Sequence, residues 1–195
     1  MRRLHRATVA VTQLSLAVGA LGLAGCAGTR AALQPTAALP SATAPAALQP
    51  PADAGVRALL AADASGTQDY VCSPAPGASD GTFAWTLRGP DAVLFGAHGE
   101  RLGRHFAGPT WEWSDGSSIT GALAAKADAP DAAAIPWLLL SVKEHKGAAG
   151  ALAPVRFVQR LATTGGKAPT DGCDGDHANQ VARVPYSAHY VFLGR

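Results

Sequence analysis

Thr82-Phe83-Ala84-Trp85-Thr86-Leu87-Arg88 is the stretch that decides the fold class. Phe83, Trp85 and Leu87 fall on one side of the alternation, and Thr82, Thr86 and Arg88 on the other. A period of two describes a strand with one covered face. The pattern returns in Val155, Phe157 and Leu161, set against Arg156 and Arg160, although Val158 and Gln159 blur it. It returns again in Tyr186, Ala188, Tyr190 and Phe192. Trp137-Leu138-Leu139-Leu140 is apolar throughout and reads as a central strand covered on both sides. Gly89-Pro90, Gly108-Pro109, Asp115-Gly116 and Asp171-Gly172 punctuate these runs as turns. Short strands with frequent turn signals and no long helical period predict an all-β, mainly antiparallel sandwich or barrel. At most one short N-terminal helix is expected, from Val56, Leu59 and Leu60 with Asp53 as its cap.

The N-terminus has a different texture. Arg2, Arg3 and Arg6 precede an apolar run from Ala7 to Leu21, the pattern of a signal peptide over residues 1–25. Leu23-Ala24-Gly25-Cys26 resembles the bacterial lipobox, in which the cysteine thiol receives lipid and becomes the new N-terminus. The resemblance implies lipidation of Cys26 and attachment to a membrane through that lipid. Ala27, in place of aspartate, implies the outer membrane, facing the periplasm or the cell surface. Several acyl chains make such an anchor stable. Residues 26–54 then read as an Ala/Pro-rich tether starting at Cys26, with Pro35, Pro40, Pro45, Pro50 and Pro51 recurring through it. A polyproline-like segment of that length reaches up to ~80 Å. Residues 55–195 form a single β-rich domain in this reading.

The formal charge of +2 belongs to the leader. Without Arg2, Arg3 and Arg6, 13 of the 16 basic residues remain against 14 acidic ones. No basic stripe is left, and nucleic acid is not an expected partner. Cys72 and Cys173 are the cysteines after Cys26, and outside the cytoplasm an even pair reads as a disulfide. Two free thiols or a metal pair are the alternatives.

Gly77-Ala78-Ser79-Asp80-Gly81 matches the GxSxG pattern, but Pro74 and Pro76 stand where a nucleophile elbow needs a buried strand, so a polar hairpin loop is expected. No glycine-rich phosphate loop occurs, and no cofactor is expected. His98, His105, His177 and His189 form none of the spacings of a local zinc site. Asp171, Asp174 and Asp176 crowd Cys173 without the spacing of a calcium loop. The densest cluster of chemistry-bearing residues is His105-Phe106-Ala107-Gly108-Pro109-Thr110-Trp111-Glu112-Trp113-Ser114-Asp115-Gly116. If Thr110 to Ser114 is a strand, Trp111 and Trp113 share a face. They then form either an aromatic platform for a glycan or part of the core. Glu112 and Asp115 are candidate hydrogen-bonding or acid–base groups, and Asp115-Gly116 equally makes a hairpin turn.

The ordered motifs Gly66-Thr67-Gln68-Asp69-Tyr70-Val71-Cys72, Ala107-Gly108-Pro109-Thr110-Trp111-Glu112, Asp115-Gly116-Ser117, Ile135-Pro136-Trp137-Leu138-Leu139-Leu140, Gln159-Arg160, Thr164-Gly165-Gly166, Cys173-Asp174 and Val184-Pro185-Tyr186-Ser187-Ala188 resemble an uncharacterised secreted-protein family of bacteria and fungi, a domain of unknown function. The resemblance spans about residues 55 to 193 and implies an exported β-rich domain with Cys72 and Cys173 as a recurrent pair. It implies no activity. The leading expectation is a lipid-anchored, non-catalytic binding or structural module of the cell envelope, with His105, Trp111, Glu112, Trp113 and Asp115 as ligand-binding candidates and a glycan or envelope protein as partner. The alternative is an envelope hydrolase assembled around His105, Glu112 and Asp115, which needs an imidazole and a carboxylate in one cleft.

Overall fold

In a computed structural model, which describes residues 43–195 except residue 148, the chain is all-β. Eight strands close into an antiparallel barrel in sequence order: β1 (Arg57–Pro74), β2 (Phe83–Phe95), β3 (Arg101–Phe106), β4 (Thr110–Trp113), β5 (Ser118–Ala127), β6 (Trp137–Lys146), β7 (Val155–Gly165) and β8 (Val181–Gly194). β8 pairs with β1 over Arg57–Val71, so the described sheet has no free edge. Of the two expected architectures, the barrel is the one formed. The expected leader and Cys26 lie outside the described residues.

Eight strands enclose a space that side chains can just fill or that holds one small ligand. Here the lower part is filled. Ala62, Ala64, Leu94, Ile119, Val155, Val158, Ala188 and Phe192 form a packed core with Trp111 and Tyr190. Trp111 and Trp113 both present their edges or faces to Phe192, with ring centroids 6.3 and 5.5 Å away. Tyr186, Ala188, Tyr190 and Phe192 share the inner face of β8, as their spacing predicts. The Gly77–Gly81 stretch is an exposed loop between β1 and β2.

A second apolar cluster lies on the outside of the wall. Leu139, Leu161, Val191 and Leu193 face away from the interior and are covered by Ala44 and Leu48, the latter fully buried. Gln159 reaches out to the same strap and donates through Nε2 to the Leu48 carbonyl at 2.8 Å. The Leu138-Leu139-Leu140 run is therefore apolar because Leu140 packs inward while Leu139 packs outward under the strap. Of the segment read as a tether, residues 26–42 lie outside the described residues, and the part from Thr43 packs on the barrel through Ala44 and Leu48 at the short 3-10 turn Ala46–Leu48.

Two further expectations fail for one physical reason. The short helix around Val56, Leu59 and Leu60 does not form, because β1 begins at Arg57. The pairing shifts between Ala58 and Leu60, leaving Leu59 as a bulge, so two adjacent leucines mimic helical spacing. Gly89-Pro90 is no turn; β2 runs straight through it. There the ladder passes from Asp69↔Gly89 to Tyr70↔Leu87 and skips Arg88. Gly89 has φ 145°, a backbone state that L side chains rarely adopt, and this glycine lets the strand absorb the extra residue. A similar shift between Leu123 and Ala125 in β5 leaves Ala124 unpaired. In β7, Ala162 (φ 47°) and Thr163 oppose Ala188 alone. All three irregularities lie toward the barrel end that carries the β1–β2, β3–β4, β5–β6 and β7–β8 loops, here termed the mouth.

Candidate functional site

The mouth opens into a cavity of about 250 Å3 to which all eight strands contribute. That is slightly below the range of drug-sized pockets, which starts near ~300 Å3. Its walls are mostly apolar: Trp111 from β4, Leu138 and Leu140 from β6, and the prolines Pro90 and Pro109. Leu87 and Leu123 stand on the rim, 54% and 60% exposed, and are the large hydrophobic side chains most open to solvent among the described residues. Both flank bulges, at Arg88 and Ala124, which splay the strand ends and turn these leucines toward the opening. Gly121 makes room for the Trp111 indole; a Cβ there would lie 3.1 Å from Trp111 Cζ3.

His105 sits in the inner wall, 2% exposed, stacked on Trp111 with ring centroids 4.5 Å apart and 9° between planes. Tyr190 meets it edge-on at 5.1 Å. Nδ1 lies 2.8 Å from the Thr110 carbonyl oxygen. A carbonyl only accepts, so Nδ1 carries the proton and Nε2 holds the lone pair. Burial between aromatic rings lowers the His105 pKa to about 3, opposed by the Thr110 carbonyl and reinforced by the Arg160 charge. The imidazole is neutral at physiological pH.

Arg160 is the cation of the cavity wall. It pairs in register with Leu138 on one side and Tyr190 on the other, which places it on the inner face of β7. Its Nε and Nη2 donate to the Pro136 carbonyl at 3.2 and 2.8 Å. No carboxylate pairs with it among the described residues. Its charge acts on the buried Tyr70, Tyr186 and Tyr190, whose phenol pKa values are raised chiefly by desolvation. Around it, Gln68 Nε2, Tyr186 OH and Tyr190 OH are buried close to one another without a well-aligned hydrogen bond among the described residues. Arg88, exposed at the rim, is the second cation of the lining, and no lining residue is acidic.

Of the sequence candidates, His105 and Trp111 meet in this cavity. Glu112 does not. It alternates with Trp111 along β4 and lies on the outer face, where it bridges to Arg104 Nη2 at 3.0 Å. Trp113 is half-buried against Phe192 and, with Glu112, lines a separate depression near Arg101 and Ser114. Asp115 occupies the turn after β4, at the end opposite the mouth. Its Oδ1 accepts from the Ser117 amide and hydroxyl at 2.8 and 2.6 Å, and its Oδ2 from the Ala151 amide at 2.7 Å. These bonds, the Ser117 hydroxyl first, lower its pKa. The constellation of His105, Glu112 and Asp115 is therefore dispersed over the inner wall, the outer wall and the far end. The paired tryptophan platform is likewise absent, since both rings pack inward and Trp111 is 1% exposed.

Cys72 and Cys173 form a disulfide that pins the β7–β8 loop to β1 beside the mouth, with a Cα–Cα distance of 5.3 Å. Asp174 caps the short turn Gly175–His177 next to it, accepting from the Asp176 and His177 amides. Arg160, Arg88, Gln68 and Tyr190 were not among the sequence candidates. Tyr190 lies in the inward pattern of β8, whereas simple alternation puts Arg160 on the solvent side with Arg156. The ladder shows why: it shifts between Val155 and Phe157, so Arg156 is a bulge and the alternation changes phase before Arg160.

No curated protein and no solved structure matches the chain. The family described as "Protein of unknown function (DUF3455)" matches residues 51–194, the whole barrel with the last residues before its first strand. The chain belongs to that family.

Proposed function

We propose that the protein is a non-catalytic binding module of the cell envelope, held by lipid on Cys26, that takes a small and largely apolar ligand into the barrel mouth. The cavity of about 250 Å3, walled by Trp111, Leu138 and Leu140 and rimmed by Leu87 and Leu123, carries this reading. Concave, mostly apolar sites with a few polar groups are the usual form of small-molecule pockets. Catalysis by the histidine has no support in this geometry, because a neutral His105, stacked on Trp111 and met edge-on by Tyr190, has no carboxylate to orient it among the described residues. The lipobox pattern at Leu23–Cys26 supports the anchor, and residues 27–42 leave chain between the anchor and the docked strap.

Calorimetric titration of the purified full-length protein with an uncharged bicyclic aromatic, 2-naphthalenemethanol, tests the site. Saturable one-site binding is expected for the wild type. Leu138→Trp, which grows a half-buried wall residue into the cavity, should abolish it while leaving the melting temperature nearly unchanged. Binding that survives Leu138→Trp would place the ligand elsewhere and refute the assignment. Loss of lipid labelling in Cys26→Ser tests the anchor independently.

A further inference from the structure

We infer that the ligand of the barrel mouth is a monoanion, an organic carboxylate with an apolar body, whose head group is bound by Arg160. The inference rests on the cavity reading above and adds the chemical class. A guanidinium has five N–H donors in a planar fork. Arg160 donates through Nε and Nη2 to the single Pro136 carbonyl, the Tyr190 hydroxyl lies beside it, and the rest of its fork meets no carboxylate among the described residues. The group is half-buried in an apolar wall and has no acidic partner among the described residues. A charge withdrawn from water without a counter-ion is costly, and the cavity beside it is where a counter-ion fits.

The rest of the lining has one sign. Arg88 stands at the rim, no aspartate or glutamate lines the cavity, and His105 is neutral. A low-dielectric cleft lined by one sign of charge focuses the opposite sign into it. Inside, the charge is that of Arg160 alone, which matches a carboxylate better than a dianionic phosphate. The fork of a guanidinium also fits the two oxygens of a carboxylate. The apolar body then lies against Trp111, Leu138 and Leu140. Arg88, held out by the bulge that Gly89 permits, meets the anion first and raises its local concentration.

Titrating the full-length protein with 2-naphthoate, 2-naphthalenemethanol and 2-naphthyl phosphate separates the possibilities, because the three share one ring system. The carboxylate should bind on the order of tenfold or more tightly than the alcohol, as charge-assisted hydrogen bonds exceed neutral ones. Arg160→Gln should erase that ratio while the alcohol still binds, and Arg160→Lys should recover part of it. Arg88→Gln should weaken naphthoate only severalfold and flatten its salt dependence. Equal affinity for naphthoate and the alcohol in the wild type would overturn the carboxylate assignment and leave the cavity reading standing. Tighter binding of the phosphate would overturn it in favour of a dianion. Failure of all three to bind the folded wild type would remove the cavity reading and this inference with it.

Discussion

His105 gives the barrel a pH dependence whose sign and size follow from its burial. Its pKa falls from the ordinary 6.5 to about 3 in the folded chain, chiefly through desolvation. The unfolded chain takes up a proton near pH 6.5, and the folded chain does not until about pH 3. Lowering the pH through this window therefore favours the unfolded state, and stability declines from pH 6.5 downward until the folded group itself protonates. Between pH 7.5 and 5.0 the loss is about 2 kcal/mol, since each unit of pKa difference is worth about 1.36 kcal/mol and the unfolded histidine is almost fully charged at pH 5. That figure barely changes if the folded pKa is anywhere below ~4. Asp80, Asp115 and Asp174 also have lowered pKa values, through side-chain hydrogen bonds from Thr82, Ser117 and His177 respectively. Their contributions are lost only below the ordinary carboxylate range and lie outside this interval. Urea unfolding at pH 7.5 and 5.0, followed by tryptophan fluorescence, measures the change for the wild type and for His105→Gln, whose amide can still donate to the Thr110 carbonyl. The wild type should lose about 2 kcal/mol more than the variant over the interval. Equal losses would show that His105 protonates as readily in the folded barrel as in the open chain, and the buried neutral assignment would be wrong.

Three stability measurements address the frame around the site. Reducing the Cys72–Cys173 bond releases residues separated by 101 positions, and the chain-entropy model puts the cost at ~4–5 kcal/mol; a Cys72→Ser, Cys173→Ser double variant should show a correspondingly lower urea midpoint. Leu48→Ala removes a fully buried side chain from the strap and should cost about 2–4 kcal/mol, with faster proteolytic nicking between residues 43 and 56. An unchanged melting temperature and nicking rate would mean the strap is not docked in solution. Ser117→Ala deletes a buried hydroxyl that donates to Asp115 and accepts from the Leu152 amide at 3.2 Å. An orphaned buried amide costs about 1–3 kcal/mol, which denaturant unfolding would resolve.

The strands were legible wherever the alternation ran unbroken. Phe83, Trp85 and Leu87 do share a face, each paired in register with Pro74, Cys72 and Tyr70 on the inward side of β1. The β8 run from Tyr186 to Phe192 lies on the inner wall as written. The Asp115-Gly116 turn and the loop character of Gly77–Gly81 were equally readable, because turn residues act through local geometry. The strap was not readable from its own composition. Ala44 and Leu48 are buried because the outer wall of β6, β7 and β8 is apolar there, a fact visible only once the strands are rolled into a barrel.

The residues that build the site were hidden by the same irregularities that build it. A one-residue bulge moves every later side chain of its strand to the other face. Before Arg88 the inward positions of β2 are Phe83, Trp85 and Leu87; beyond it they are Pro90, Ala92 and Leu94. In β5 Ile119, Gly121 and Leu123 face inward, whereas Ala125 and Ala127 beyond Ala124 join the outer cluster. In β7 the bulge at Arg156 carries Val158 and Arg160 inward and Phe157 and Leu161 outward, the reverse of what one continuous alternation from Val155 would give. Each phase change has a structural consequence at the mouth. The first leaves Arg88 and Leu87 adjacent on the rim, the second stops the inner face of β5 at Leu123, and the third turns an arginine into an apolar interior. A strictly periodic sequence would have been easier to read. It would also have carried Arg160 to the outer face and left the cavity wall without that cation.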